Sequence, residues 1–239
     1  MKYLLILGFT ILLFNSCGQK EKPKVIYPEN GQSENVGLKK DSTLIEISDL
    51  PIHIDSTKYL IYPIGEFKMY GARSSKIYFG TSSYYDGSFK VSGFNQYEIS
   101  GDLNNLKFQH LESEVLIPLT DEIIKISSVS FLRDIFDLTK RQYLVYRVWD
   151  QDTNRDKKLD DDDIETLYIS KIDGTKFTKL TSEYRELIDW STLKVKSRLY
   201  FRSIEDTNKN GEFDESDRIH YQYVDLNKED WKVMEYQPL

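Results

Sequence analysis

Two twelve-residue stretches concentrate the oxygen-bearing side chains of this chain: DTNRDKKLDDDD from Asp152 to Asp163, and DTNKNGEFDESD from Asp206 to Asp217. Each places Asp or Asn at loop positions 1, 3, 5 and 9 and Asp at position 12. Ca²⁺ takes about six to eight hard oxygens at roughly 2.3–2.6 Å, so a short loop must aim several carboxylates inward and add a backbone carbonyl at position 7. The second loop offers Asp206, Asn208, Asn210, the carbonyl of Glu212, Asp214 directly or through water, and Asp217. The first offers Asp152, Asn154, Asp156, the carbonyl of Lys158, Asp160 and Asp163. Gly211 fills position 6 of the second loop, where the chain must bend sharply. Lys157 stands there in the first loop, and a left-handed backbone costs such a residue on the order of 1 kcal/mol. Leu159 and Phe213 at position 8 are the apolar side chains expected to pin the loops to the body.

Other chemistry finds little support. The three histidines, His53, His110 and His220, show no metal or triad spacing, and G-x-S-x-G, P-loop and dinucleotide glycine motifs are absent. Carboxylates are plentiful enough for a glycosidase-type pair, so a carboxylate-dependent hydrolase acting on glycans is the alternative reading, although no spacing marks the two acids. Asp150, Asp161 and Asp162 lie outside the ligand spacing and read as solvated charges. Seventeen tyrosines and three tryptophans, Trp149, Trp190 and Trp231, supply flat rings of the kind that stack on sugars. Core packing accounts for most of them, which leaves Tyr84 and Tyr85 as the candidate exposed contacts. A net charge of −7 disfavours nucleic acid as a partner, because a phosphate backbone rewards Lys and Arg patches. Cys17 is the only cysteine, which excludes an internal disulfide and a four-cysteine zinc site.

The loops must be held by matching elements. Asp206 follows Asp152 by 54 positions, and the same offset sets Tyr146 on Tyr200, Leu167 on Tyr221, Ile169 on Tyr223 and Phe177 on Trp231. The flanks QYLVYRVW and KSRLYFRSI are rich in aromatic and β-branched residues, so each loop is expected to join two strands. Removing the twelve-residue loop from the 54-residue period leaves 42 residues, within the roughly 40–45 of a four-stranded propeller blade. The expected fold is therefore all-β and propeller-like, with about three four-stranded antiparallel sheets from repeats near 44–120, 121–181 and 184–239. The first repeat has no acidic loop. An insertion from about Glu66 to Gly93 replaces it, with an expected hairpin turning at Asp86-Gly87.

Residues 1–16 carry Lys2 and an apolar run from Tyr3 to Phe14, the layout of a signal peptide. LFNSC, ending at Cys17, resembles the lipobox of bacterial lipoproteins, with Phe14 where that family has Leu. The resemblance implies lipidation of Cys17 and a membrane anchor, and Gly18 in place of an inner-membrane retention Asp implies the outer membrane. Residues 17–43 are polar and read as a flexible tether to one domain at 44–239. LYISKIDGTKFTKLT, residues 167–181, resembles the repeat of TolB-like β-propellers, and IPLT at Ile117 to Thr120 repeats its ending. The acidic loops resemble EF-hand and dockerin calcium loops, and their Asp at position 12 and strand flanks imply structural sites with dissociation constants near 10⁻⁴–10⁻³ M instead of a sensor. Together these resemblances imply a calcium-stabilised binding or scaffold lipoprotein of the cell envelope, with an envelope protein or a glycan as partner.

Overall fold

Alternating apolar and polar residues dictate the strands, and long polar links separate them. The computed structural model describes residues 23–28, 38, 44–68 and 90–239. The signal segment 1–16, Cys17, Tyr84, Tyr85 and the turn expected at Asp86-Gly87 lie outside the described residues. In chain order the strands are β1 (Leu44–Ser48), β2 (Ile52–His53), β3 (Tyr59–Lys68), β4 (Ser92–Asn95), β5 (Glu98–His110), β6 (Ile117–Pro118) and β7 (Lys125–Phe131). A short helix, α1 (Arg133–Thr139), precedes β8 (Tyr143–Trp149), β9 (Glu165–Lys171), β10 (Thr178–Lys179), β11 (Arg185–Leu193), β12 (Arg198–Glu205), β13 (Arg218–Asp225) and β14 (Met234–Glu235). All pairings are antiparallel.

The second and third repeats form the four-stranded meanders expected of them, β7-β8-β9-β10 and β11-β12-β13-β14. Among the described residues the first forms no separate sheet, and the expectation of three sheets is corrected to two: ten strands in one and four in the other. The reason is β5. Its thirteen residues run as one strand from Glu98 to His110, through Gly101 and Asn104-Asn105, where the residue types suggest a turn. The C-terminal part pairs with β3 and the N-terminal part with β7, which welds the first two repeats together. Among the described residues the two sheets do not close on each other.

Two clusters of buried side chains hold the structure. One lies within the large sheet around Phe108, Leu103, Ile126 and Tyr146. The other lies between the sheets, where Val145, Leu167 and Ile169 meet Leu199, Phe201, Val224 and Trp231. Register explains which faces meet. Val145 pairs with Ile169 and Tyr146 with Tyr168 in the large sheet, whereas in the small sheet Leu199 pairs with Val224 and Tyr200 with Tyr223, so the 54-residue repeat does not preserve the register across the central strands. The large sheet buries Val145, Leu167 and Ile169 against Leu199, Phe201 and Val224 of the small sheet, whose other face carries the half-buried Tyr200, Tyr221 and Tyr223.

Candidate metal centres and an aromatic face

Each acidic loop sits between the paired central strands of its meander, β8 and β9 or β12 and β13, so the sheet fixes both its ends. Inside the loops, the side chains predicted as ligands turn onto the loop's own backbone N–H groups, in the same frame twice. Asp152 accepts from Asp156 N at 3.0 Å and Lys157 N at 2.9 Å, and Asp206 accepts from Asn210 N at 3.2 Å and Gly211 N at 2.7 Å. Asn154 and Asn208 accept from Asp156 N and Asn210 N, and Asp156 and Asn210 from Lys158 N and Glu212 N. Asp163 closes the first loop by accepting from Thr153 N at 2.7 Å and Asp160 N at 3.1 Å. Asp217 closes the second in the same way, from Thr207 N at 2.9 Å and Asp214 N at 3.0 Å. The backbone repeats as well, with positive φ at positions 4 and 6 of both loops: Arg155 (59°) and Lys157 (70°), Lys209 (57°) and Gly211 (85°). Leu159 is buried and Phe213 half-buried, as expected of pins.

Burial in the loops is costly. Asp163 is 0 % exposed and Asp206 4 % exposed, and neither has an ion pair with a cationic side chain among the described residues. Burial pushes the Asp163 carboxyl up, three backbone N–H groups pull it down, and the Asp152 charge adds to the rise. A buried carboxylate without a cation is expensive, and native proteins resolve it by pairing or metal coordination. Among the described residues no group of three or more His, Cys, Asp or Glu stands together as a metal-ligating set. The donors of these loops are instead mixed: carboxylates, the amides of Asn154, Asn208 and Asn210, and the backbone carbonyls of Lys158 and Glu212. An all-oxygen donor set of this kind fits Ca²⁺ and not a soft thiophilic metal.

Residues 23–28 depart from the flexible tether expected of 17–43. They lie across both loops. Lys24 N and Val25 N donate to Gly211 O at 2.7 and 3.1 Å, and Ile26 N donates to Thr153 O at 2.8 Å. Thr153 Oγ1 donates to Lys24 O at 2.9 Å, and Lys24 Nζ pairs with Glu186 at 2.8 Å. Tyr27 donates its phenol to the Asp206 carboxylate, and burial with that neighbouring charge raises the phenol's pKa. Composition missed this segment because four of the contacts use backbone N–H or C=O, which do not depend on side-chain identity.

The remaining candidates scatter. His53 Nε2 meets Thr57 O at 3.0 Å, His110 Nδ1 accepts from Glu112 N, and buried His220 bridges Glu205 and Glu235, so no catalytic constellation joins them. Asp161 and Asp162 are exposed as expected. Asp150 is a correction: its side chain is 13 % exposed and takes Tyr168 Oη and Lys179 Nζ, both at 2.7 Å. The sequence reading missed an aromatic face, although the alternation in RLYFRSI and RIHYQYVD signals it. Tyr236 stands edge-on to Tyr200 and Tyr221, at centroid distances of 5.5 and 5.9 Å. The Arg198 guanidinium lies 4.1 Å from the Tyr223 ring. A shallow cavity of about 210 Å³ adjoins it, lined by Tyr223, Asp225, Asp230, Lys232 and neighbouring residues.

No family model matches this chain, and no curated protein does. Among solved structures it is similar to a protein assigned as TolB from Agrobacterium tumefaciens, at 10 % identity over 80 % of each chain with a TM-score of 0.24. A likeness that weak carries no argument about the fold or the site.

Proposed function

We propose that this chain is a calcium-stabilised binding or scaffold lipoprotein of the bacterial envelope, anchored in the outer membrane through lipid on Cys17, its sheets stacked in propeller fashion. The observation that carries the calcium reading is the pair of buried carboxylates, Asp163 and Asp206, each without a cationic partner among the described residues. Asp152, Asn154, Asp156, the Lys158 carbonyl, Asp160 and Asp163 would hold one ion, and Asp206, Asn208, Asn210, the Glu212 carbonyl, Asp214 and Asp217 the other. Bound Ca²⁺ would neutralise the clustered charge. The chain's own part is to fix the loop backbone, through the N–H groups that donate to Asp152, Asp163, Asp206 and Asp217. Strand flanks on both loops favour ions that brace the fold.

The propeller-like stacking is supported by two successive four-stranded antiparallel meanders that share one buried cluster. That leaves Tyr200, Tyr221 and Tyr223 on the face where a further sheet would pack, and these rings with Arg198 are the proposed contact for an envelope protein or a glycan. Tyr and Arg anchor binding surfaces because they offer large, stiff area with a polar tip. The test of the ion reading is calorimetry with millimolar Ca²⁺ beside thermal melts in Ca²⁺ and in EDTA. Heat of binding with a higher melting temperature is expected, and identical melts with no heat would remove the ions from the reading.

A further inference from the structure

We infer that residues 23–28 form a strap whose docking is coupled to cation occupancy of both acidic loops, so that calcium sets how far the domain stands from its anchor. The inference rests on the proposed calcium sites and lipidated Cys17. Its physical basis is where the strap lands. Its acceptors, Gly211 O and Thr153 O, are positions 6 and 2 of the two loops, and its Tyr27 phenol reaches Asp206 at position 1. Val25 is 2 % exposed yet belongs to neither of the two main cores, so its burial depends on this contact. A loop fixed by a cation presents these groups already placed, which lowers the ordering cost of the strap, and linkage makes the effect reciprocal.

Position 6 supplies independent support. Lys157 holds φ of 70° in the first loop with a full side chain, so the loop conformation by itself does not demand glycine. In the second loop a Cβ on Gly211 would lie 2.4 Å from Val25 O and 2.7 Å from Pro23 Cβ. The close approach of the strap accounts for glycine there. Pro23 follows Cys17 by six residues, a reach of about 20 Å at most, whereas the 27 residues from Cys17 to Leu44 span up to about 90 Å. A docked strap therefore holds the loop edge close to the membrane, and a released one lets the domain stand away.

The test is amide hydrogen exchange of Lys24, Val25 and Ile26 in the full chain, with Ca²⁺ and with EDTA, alongside calcium calorimetry on wild type, Gly211→Ala and Val25→Asp. Exchange slowed about 5-fold or more by Ca²⁺ is expected, with both variants losing that protection and binding Ca²⁺ more weakly by a similar factor. Val25→Asp leaves both loop sequences and both cores intact, so it stands if Gly211→Ala fails to fold. Calcium heat in the wild type with unchanged exchange at these amides would overturn the coupling and leave the calcium sites standing. Unaltered affinity in Val25→Asp would overturn it equally. Absence of calcium heat altogether would overturn the calcium reading, and the coupling with it.

Discussion

Asp163 and Asp206 set the terms at the residue scale, because a buried charge must be matched and no cationic side chain among the described residues does so. Asp163→Asn removes the charge and keeps an oxygen acceptor for only one of Thr153 N and Asp160 N, which donate to different oxygens of the native carboxylate. The expected outcome is a smaller gain in melting temperature on adding Ca²⁺ than in wild type, read by calorimetric scans. Asp206→Ala should remove most of the calcium-induced shift assigned to the second loop, since its two oxygens order Asn210 and Gly211. Glu186 gives a pH dependence. Burial raises its pKa, and Lys24 and the N–H of Glu165 oppose the rise. A raised carboxyl contributes stability that is present below the ordinary carboxylate range and lost as pH rises through the raised value. Lys24→Met deletes an opposing charge, so the Glu186 carboxyl should titrate still higher, as read by NMR. No change would place Lys24 away from Glu186 in solution.

At the scale of elements, the Asp173-Gly174 turn after β9 shows how a local signal serves a distant contact. Gly174 has φ of 79°, and a Cβ there would lie 2.5 Å from the Phe108 ring of β5. Gly174→Ala is therefore expected to cost about 1–3 kcal/mol in chemical denaturation, from backbone strain and overpacking together. Such turns and the two loops are legible because twelve or fewer contiguous residues specify them. β5 was not legible as one strand: Gly101 and Asn104-Asn105 look like turn residues, and only its partners on both edges keep it extended. The α1 helix escaped notice because it has only seven residues and lies in a link between strands. The strap was illegible for a different reason, since its polar composition reads as a tether and its docking is a matter of backbone geometry.

At the scale of the whole molecule, the shared core makes the two sheets one cooperative unit. Leu199 is 0 % exposed and packs among residues of both sheets. Leu199→Ala should cost about 2–5 kcal/mol and lower a single unfolding transition seen by every probe. Two separate transitions would mean that the sheets fold independently. The 54-residue repeat made the second and third meanders legible, and face-to-face pairing of sheets was out of reach because one-residue register shifts decide which side chains point inward. The proposal as a whole depends on cations in the acidic loops. Calcium titration calorimetry on the full chain, repeated with Asp206→Ala, tests it most directly. Two binding events in the range of about 10⁻⁴–10⁻³ M, reduced to one in the variant, are the expected result, and no heat of binding in the wild type at millimolar Ca²⁺ would contradict it.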